Sequence, residues 1–203
     1  KIGLSDSTSV ANINTVAGMT SGVLTATSSD TDIGTLIGLS TSNADKITTT
    51  VGTTSVSATD LTTLYGKTGV AVGATAVTEL TGTATQIATA VASTGINTSV
   101  HYAATITAGT AATISELKTI NNDTDGTITL NAATNSANYS DTTANIMAAF
   151  NGITSLTGTI GLSDSTTVDN INTVSAMTSG VLTATSSDTA AATLVGLTTT
   201  STD

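Results

Sequence analysis

The sharpest chemical pattern in this chain is Asn121-Asn-Asp123-Thr-Asp125-Gly126-Thr-Ile128. Oxygen-bearing side chains at alternate positions, a sixth-position glycine and an apolar eighth residue form the first half of a calcium loop, which wraps a hard cation around a sharp turn. Asn121, Asp123 and Asp125 are therefore the candidate metal ligands, with calcium as the ion. The twelfth position, where a bidentate Glu belongs, is Ala132. The plainer reading takes precedence: Asp125-Gly126 is the turn that ends a helix. No other cofactor is indicated.

Reactive side chains are otherwise scarce. A Ser or Thr nucleophile needs a base within reach, and His101 is the one histidine among a chain full of hydroxyls. His101 falls in a strand-like stretch and reads as a strand residue. Glu79 and Glu116 read as surface or capping positions rather than a glycosidase pair. Asp6, Asp30, Asp32, Asp164 and Asp188 recur beside Ser or Thr and read as helix N-caps. The expectation is that the chain is not an enzyme and holds no catalytic residue.

Composition removes further classes. The 203 residues carry a net charge of −10, with four Lys, no Arg, and only 9% charged residues, against about 25% in ordinary domains. Nucleic-acid binding needs a basic stripe and is excluded. Pro, Cys and Trp are absent, which removes zinc and thiol chemistry. No apolar run approaches the ~18 residues of a membrane span. The apolar fraction of 38% argues against disorder, which goes with low hydrophobicity and high charge.

The elements that would hold these residues follow a rhythm. Helical spacing runs over Thr8–Met19 (Val10, Ile13, Val16 and Met19 inward), Thr31–Leu39, Ser57–Tyr65, Thr83–Ser93, Thr113–Asn121 and Asp141–Phe150. Each is followed by Val-, Ile- and Thr-rich stretches with strand propensity, such as Val23–Thr27, Ile47–Val51, Ala76–Leu80 and Thr127–Leu130. Ser57-x-x-Asp60, Thr83-x-x-Gln86 and Thr113-x-x-Glu116 resemble capping boxes. Gly22, Gly69, Gly95, Gly126 and Gly152 stand where left-handed helix stops are expected.

A longer repeat encloses the short one. Ile2 to Asp30 returns as Ile160 to Asp188 with four differences: Ser9/Thr167, Ala11/Asp169, Ala17/Ser175 and Gly18/Ala176. Residues 1–159 thus form one long unit of about six helix–strand segments, and 160–203 begin a second. The mean period is roughly 26 residues, typical of stacked repeats. One such unit cannot bury its apolar face alone, so the expected fold is α/β: a single continuous solenoid of roughly 26-residue helix–strand repeats with one parallel β-sheet. Because Gly158-Thr159 precedes the second copy, Lys1 reads as lying inside a continuing pattern, in a segment of a longer or processed chain.

Alternating Thr residues (Thr25/Thr27, Thr105/Thr107, Thr127/Thr129, Thr157/Thr159) lie on one face of a strand. Aligned, they would make a ladder of hydroxyls and methyls able to order ice, carry glycan or pack on a sister filament. Ordinary β-propensity is the plainer account.

The stretches Ile-Gly-Leu-Ser-Asp-Ser, Gly82-to-Ile96 (GTATQIATAVASTGI) and Leu64-to-Val72 (LYGKTGVAV) resemble the Thr/Ala-rich tandem repeats of very large bacterial cell-surface and secreted proteins, marine cyanobacterial ones in particular. The resemblance implies an extracellular or cell-surface location and a repetitive scaffold, and it transfers no catalytic residue. The expected function is a structural segment that builds a fibre, sheath or surface layer by self-association with identical or neighbouring repeats, with glycan as a further partner. The alternative is an adhesin or an ice- or glycan-binding module stabilised by calcium.

Overall fold

The computed structural model describes residues 1–107, 109–153 and 155–199; positions 200–203, the end of the expected second copy, lie outside them. The chain opens with β1 (Ile2–Thr8), α1 (Val10–Ala17), β2 (Leu24–Ser28), α2 (Ile33–Leu36), β3 (Lys46–Thr48), β4 (Ser55–Ser57) and α3 (Ala58–Tyr65). It continues with β5 (Val72–Ala74), β6 (Glu79–Gly82), α4 (Ala84–Val91), β7 (Ile96–Thr98), β8 (Ala103–Ile106), α5 (Ile114–Asp123), β9 (Ile128–Thr129) and α6 (Ala132–Asn135). β10 (Tyr139–Asp141), α7 (Thr143–Phe150), β11 (Ile160–Thr166), α8 (Val168–Ser175), β12 (Leu182–Ser186) and α9 (Ala191–Leu194) complete it.

The fold is mixed α/β, and every strand pairing among the described residues is parallel. The strands do not make one sheet. They fall into four small ones, in the orders β1-β2-β3, β4-β6-β8-β9, β5-β7 and β10-β11-β12. The cause is local. In the middle of the chain each helix is followed by two short strands separated by a turn, and the two join different sheets. Sheet neighbours are 20 to 24 residues apart, as in Thr8 with Ser28 and Leu80 with Ala104, a shorter step than the sequence period predicts. Parallel neighbours need a crossover between them, and here it is the helix.

Helix starts follow the sequence closely. Thr83 and Thr113 form reciprocal capping boxes with Gln86 and Glu116, whereas Ser57 accepts from the Thr59 N–H and makes no box with Asp60. α1 begins two residues later than expected, capped by Ser9. The inward faces are mostly as spaced: Ile13, Leu36, Leu61, Leu64, Ile87, Leu117, Ile120 and Ile146 are fully buried. Two residues expected inward, Met19 and Tyr65, are exposed. Consecutive helices pack on each other, α2 on α3, then α4, α5, α7 and α8 in turn. The buried side chains from Val10 to Leu182 form one cluster, to which Tyr139 and Phe150 add an edge-to-face ring pair at 5.0 Å.

The glycines differ from expectation. Among the described residues only Gly82 and Gly152 have positive φ, so of the five expected left-handed stops only Gly152 is one. Gly69 and Gly126 are required for another reason. A Cβ at Gly126 would sit 2.1 Å from the Tyr102 carbonyl oxygen, and one at Gly69 would sit 2.4 Å from that of Asn43. The backbone of one unit runs against that of the unit before it.

The second copy repeats the first in detail. β1 pairs β2 through Ile2↔Leu24 and Thr8↔Ser28, and β11 pairs β12 through Ile160↔Leu182 and Thr166↔Ser186. Each pairing carries the same irregularity, between Gly3 and Ser7 and between Gly161 and Ser165.

Candidate functional site

The side chains singled out for chemistry turn out to join one helix–strand unit to the next. At a helix start the first N–H groups have no partner within the helix. In every described helix but α9, which has Ala190 at that position, the N-cap side chain takes one of them, as when Ser9 accepts from Asn12. At four of the helix starts the unit that follows takes another. The Val10 N–H donates to Asp30 Oδ2 (2.8 Å), Ile33 to Thr53 Oγ1 (3.1 Å), Thr143 to Asp164 Oδ1 (2.8 Å) and Val168 to Asp188 Oδ2 (2.8 Å). In each case the acceptor lies 20 or 21 residues on. Asp32 caps its own helix as expected. Asp30, Asp164 and Asp188 instead serve the helix of the preceding unit. A carboxylate beside helix N–H groups also meets the positive end of the helix dipole. For Asp164, the Thr143 N–H and the Thr143 hydroxyl hold its carboxyl below the usual range.

Strand starts are joined in the same way. Leu24 N–H donates to Asp45 Oδ1 at 2.8 Å, which is the chief reason that the Asp45 carboxyl lies below its ordinary value. Ile47 is held by Thr68, whose hydroxyl accepts its N–H (3.0 Å) and donates to its carbonyl (2.8 Å). Thr124 and Thr178 work from a Thr-x-Gly turn. Thr124 Oγ1 donates to the Tyr102 carbonyl and accepts from Gly126 N–H; Thr178 Oγ1 donates to the Gly158 carbonyl and accepts from Gly180 N–H. The two Glu residues, expected at surface or capping positions, also bridge units. Glu79 on β6 accepts from Ser55 (2.7 Å) and Thr105 (3.1 Å) on its two neighbouring strands. Glu116 completes its capping box and accepts from Thr85 on α4 (2.5 Å). Burial opposes its ionisation, but the bonds from Thr85 and Thr113 outweigh that and keep its carboxyl below ordinary Glu.

Asn121, Asp123 and Asp125 line one cleft of about 530 Å³ between the end of α5 and residues 151–153. Their polar atoms are turned to different partners. α5 continues through Asp123, so Asn121 and Asp123 are helical, not loop residues. Asn121 Nδ2 donates to the carbonyls of Ala149 (3.1 Å) and Asn151 (2.9 Å) at the end of α7. Asp123 Oδ2 accepts from the Tyr102 hydroxyl at 2.8 Å. Tyr102 is fully buried, and burial, followed by the bond and negative charge of Asp123, pushes its phenol well above the ordinary value. Asp125 takes His101 Nδ1 at 2.7 Å, an exposed pair located in a turn before β8, not in a strand. Among the described residues no group of three or more His, Asp or Glu side chains is placed to hold a metal ion.

Among the described residues the longest Thr ladder crosses four strands. Ser57, Thr81, Thr105 and Thr129 are successive partners across β4, β6, β8 and β9. A shorter run, Ser7, Thr27 and Thr48, crosses β1, β2 and β3, while Thr25 faces Gly3 on one side and Lys46 on the other. Thr81 and Thr105 already spend their hydroxyls on the Val56 carbonyl and on Glu79.

Compared with known protein families, curated proteins and solved structures, the chain matches none. The inter-unit bonds escaped the sequence reading, although one signal was present. Thr20-Ser-Gly22, Thr124-Asp-Gly126 and Thr178-Ser-Gly180 recur with fixed spacing, each with a hydroxyl able to accept the glycine N–H two residues on.

Proposed function

We propose that this chain is a structural repeat segment of a large extracellular protein, a solenoid whose stacked helix–strand coils build a fibre, sheath or surface layer. The observation that carries this reading is the inter-unit bonding. Four helix starts and several strand starts are completed by a side chain from the next unit, at a nearly constant step, and the second copy repeats the first in register. A chain built this way gains stability by adding units, as repeat arrays do. The resemblance to bacterial surface repeats supports an extracellular location, with identical or neighbouring repeats as partners. The low charge suits lateral packing or glycan cover over a freely solvated surface. The reading gives no residue a catalytic role. Electron microscopy and small-angle scattering test it: elongated particles or filaments are expected, and a compact globule would overturn it.

The Ser57-Thr81-Thr105-Thr129 ladder supports a second reading, an ice- or glycan-binding face. Thermal hysteresis or glycan-array binding lost in Thr129→Ala would favour it. Its inner hydroxyls are already bonded within the protein, so the scaffold reading stands first.

A further inference from the structure

Lys118 has an amide for a partner where a carboxylate would be expected. The chain holds four Lys and fourteen Asp and Glu, yet among the described residues the one ion pair is His101 with Asp125. Lys118, half-buried on α5, donates instead from Nζ to Asn145 Oδ1 on α7 at 2.6 Å. Asn145 Nδ2 in turn donates to Asp141 Oδ1 at 2.7 Å, and the same oxygen accepts the Thr142 N–H. The two charges fix which way the amide points, since a cation needs its oxygen and a carboxylate needs its nitrogen.

This contact sits at a particular joint. α6 has four residues, and α5 packs directly on α7. Strand pairing stops at the same place. β9 ends one sheet and β10 opens another, and among the described residues no ladder or isolated bridge connects them. Side chains hold the joint instead, among them Asn121 on the carbonyls of Ala149 and Asn151 and Tyr139 on that of Ala112.

An amine held against an amide carbonyl, with a carboxylate on the nitrogen that would leave, is an arrangement for acyl transfer. We propose that Lys118 and Asn145 join in an intramolecular isopeptide bond, a covalent cross-link between α5 and α7, with Asp141 as the proton carrier. Asp141 takes a proton from the Lys118 ammonium, and the freed Nζ lone pair attacks Asn145 Cγ. Asp141 gives that proton to Nδ2 as the Cγ–Nδ2 bond breaks. The second proton that Nζ sheds leaves with the ammonia as ammonium. A primary amide and an alkylammonium become a secondary amide and ammonium, so atoms and charge balance without an oxidant or co-reactant. The Asn145 bond first, then the Thr142 N–H and the Lys118 charge, hold the Asp141 carboxyl below ordinary Asp, so the base form is the one present. Folding supplies the rate, because packing α5 on α7 replaces a chance encounter by a fixed one. The step occurs once per chain and ties residues 118 to 145 across the joint that the sheets leave unpaired.

Intact mass spectrometry of the folded chain tests the step, and the expected mass is one ammonia below that of the sequence. Trypsin cuts after lysine, so digestion of the denatured chain should leave residues 68–203 as one piece. An unlinked chain would separate into 68–118 and 119–203. Lys118→Arg keeps the charge but not the nucleophile; it should have the full mass and a lower urea midpoint. Asp141→Ala, with its fold checked by circular dichroism, should link many-fold more slowly. The full sequence mass in the folded natural chain overturns the proposal. So does a loss of ammonia with normal cutting after Lys118, which would be a succinimide at Asn151-Gly152. An Asp141→Ala chain that links as fast as the natural one overturns the role of Asp141. Particle shape is untouched by any of these outcomes, so the repeat-scaffold reading stands or falls separately by electron microscopy.

Discussion

Thr68 and Thr49 are both sealed from solvent, yet they use their hydroxyls differently. Thr68 Oγ1 accepts from the Ile47 N–H and donates to the Ile47 carbonyl in the unit before it. Thr49 Oγ1 has no partner among the described residues. Val has nearly the shape of Thr, so Thr→Val tests the hydroxyl with little change in packing. Thr68→Val should destabilise by roughly 2 kcal/mol, because two buried backbone groups lose their partner. Thr49→Val should be neutral or stabilising by about 1 kcal/mol, because it removes an unpaired buried polar atom. Urea unfolding of the two variants checks the opposite signs. A quarter of the chain is Thr, and the distinction between joining and merely tolerated Thr comes from what faces each hydroxyl 20-odd residues away. Asp30 and Asp32 make the same point, since two carboxylates two residues apart cap different helices.

Helices were the legible elements, because a helix start is written locally. Thr83 with Gln86 and Thr113 with Glu116 bond within four residues of each other, and apolar spacing marks the buried face. Strands were less legible. β4, β7, β9 and β10 have two or three residues each, too few for alternation to show. They exist because a neighbouring unit offers a matching edge, and that edge lies outside any local window. The break into four sheets and the short step between neighbours were invisible for the same reason. Of the candidate site, the grouping of Asn121, Asp123 and Asp125 at one cleft was legible, but the commitment of each to Ala149 and Asn151, Tyr102 or His101 was not. The carboxylates that link elements also make stability depend on acid. Asp45, Glu116 and Asp164 titrate below their ordinary values because Leu24, Thr85 and Thr143 in a preceding unit donate to them. A carboxyl with a lowered folded pKa stabilises fully above its unfolded pKa, and that stability is lost as pH falls through the folded value. The urea midpoint should therefore hold from pH 7 to about 5 and fall progressively below the ordinary carboxylate range of about 4. An Asp45→Asn, Asp164→Asn variant should start lower at pH 7 and fall less between pH 5 and 3. An equally steep fall in the variant would place the acid sensitivity elsewhere.

Over the whole molecule, near-identical residues in two places act as an internal control on packing. The methionines at the ends of the two matched helices differ in what lies beyond them: α7 packs on α8, and α1 has an open side. Truncating a buried Met removes its transfer free energy and leaves a cavity, at a cost of about 2 kcal/mol or more. The same change at an exposed site falls within about 0.5 kcal/mol. Met177→Ala should therefore lower stability by roughly 2 kcal/mol in urea unfolding, and Met19→Ala in dilute protein should leave it unchanged. On the proposed repeat-scaffold reading stability is a sum over units and their interfaces, so the loss at Met177 should be local as well. Hydrogen exchange should speed up over residues 160–186 while α3, α4 and α5 keep their protection. Equal effects of the two substitutions would mean that the ends of α1 and α8 are packed alike, against the exposures of their methionines.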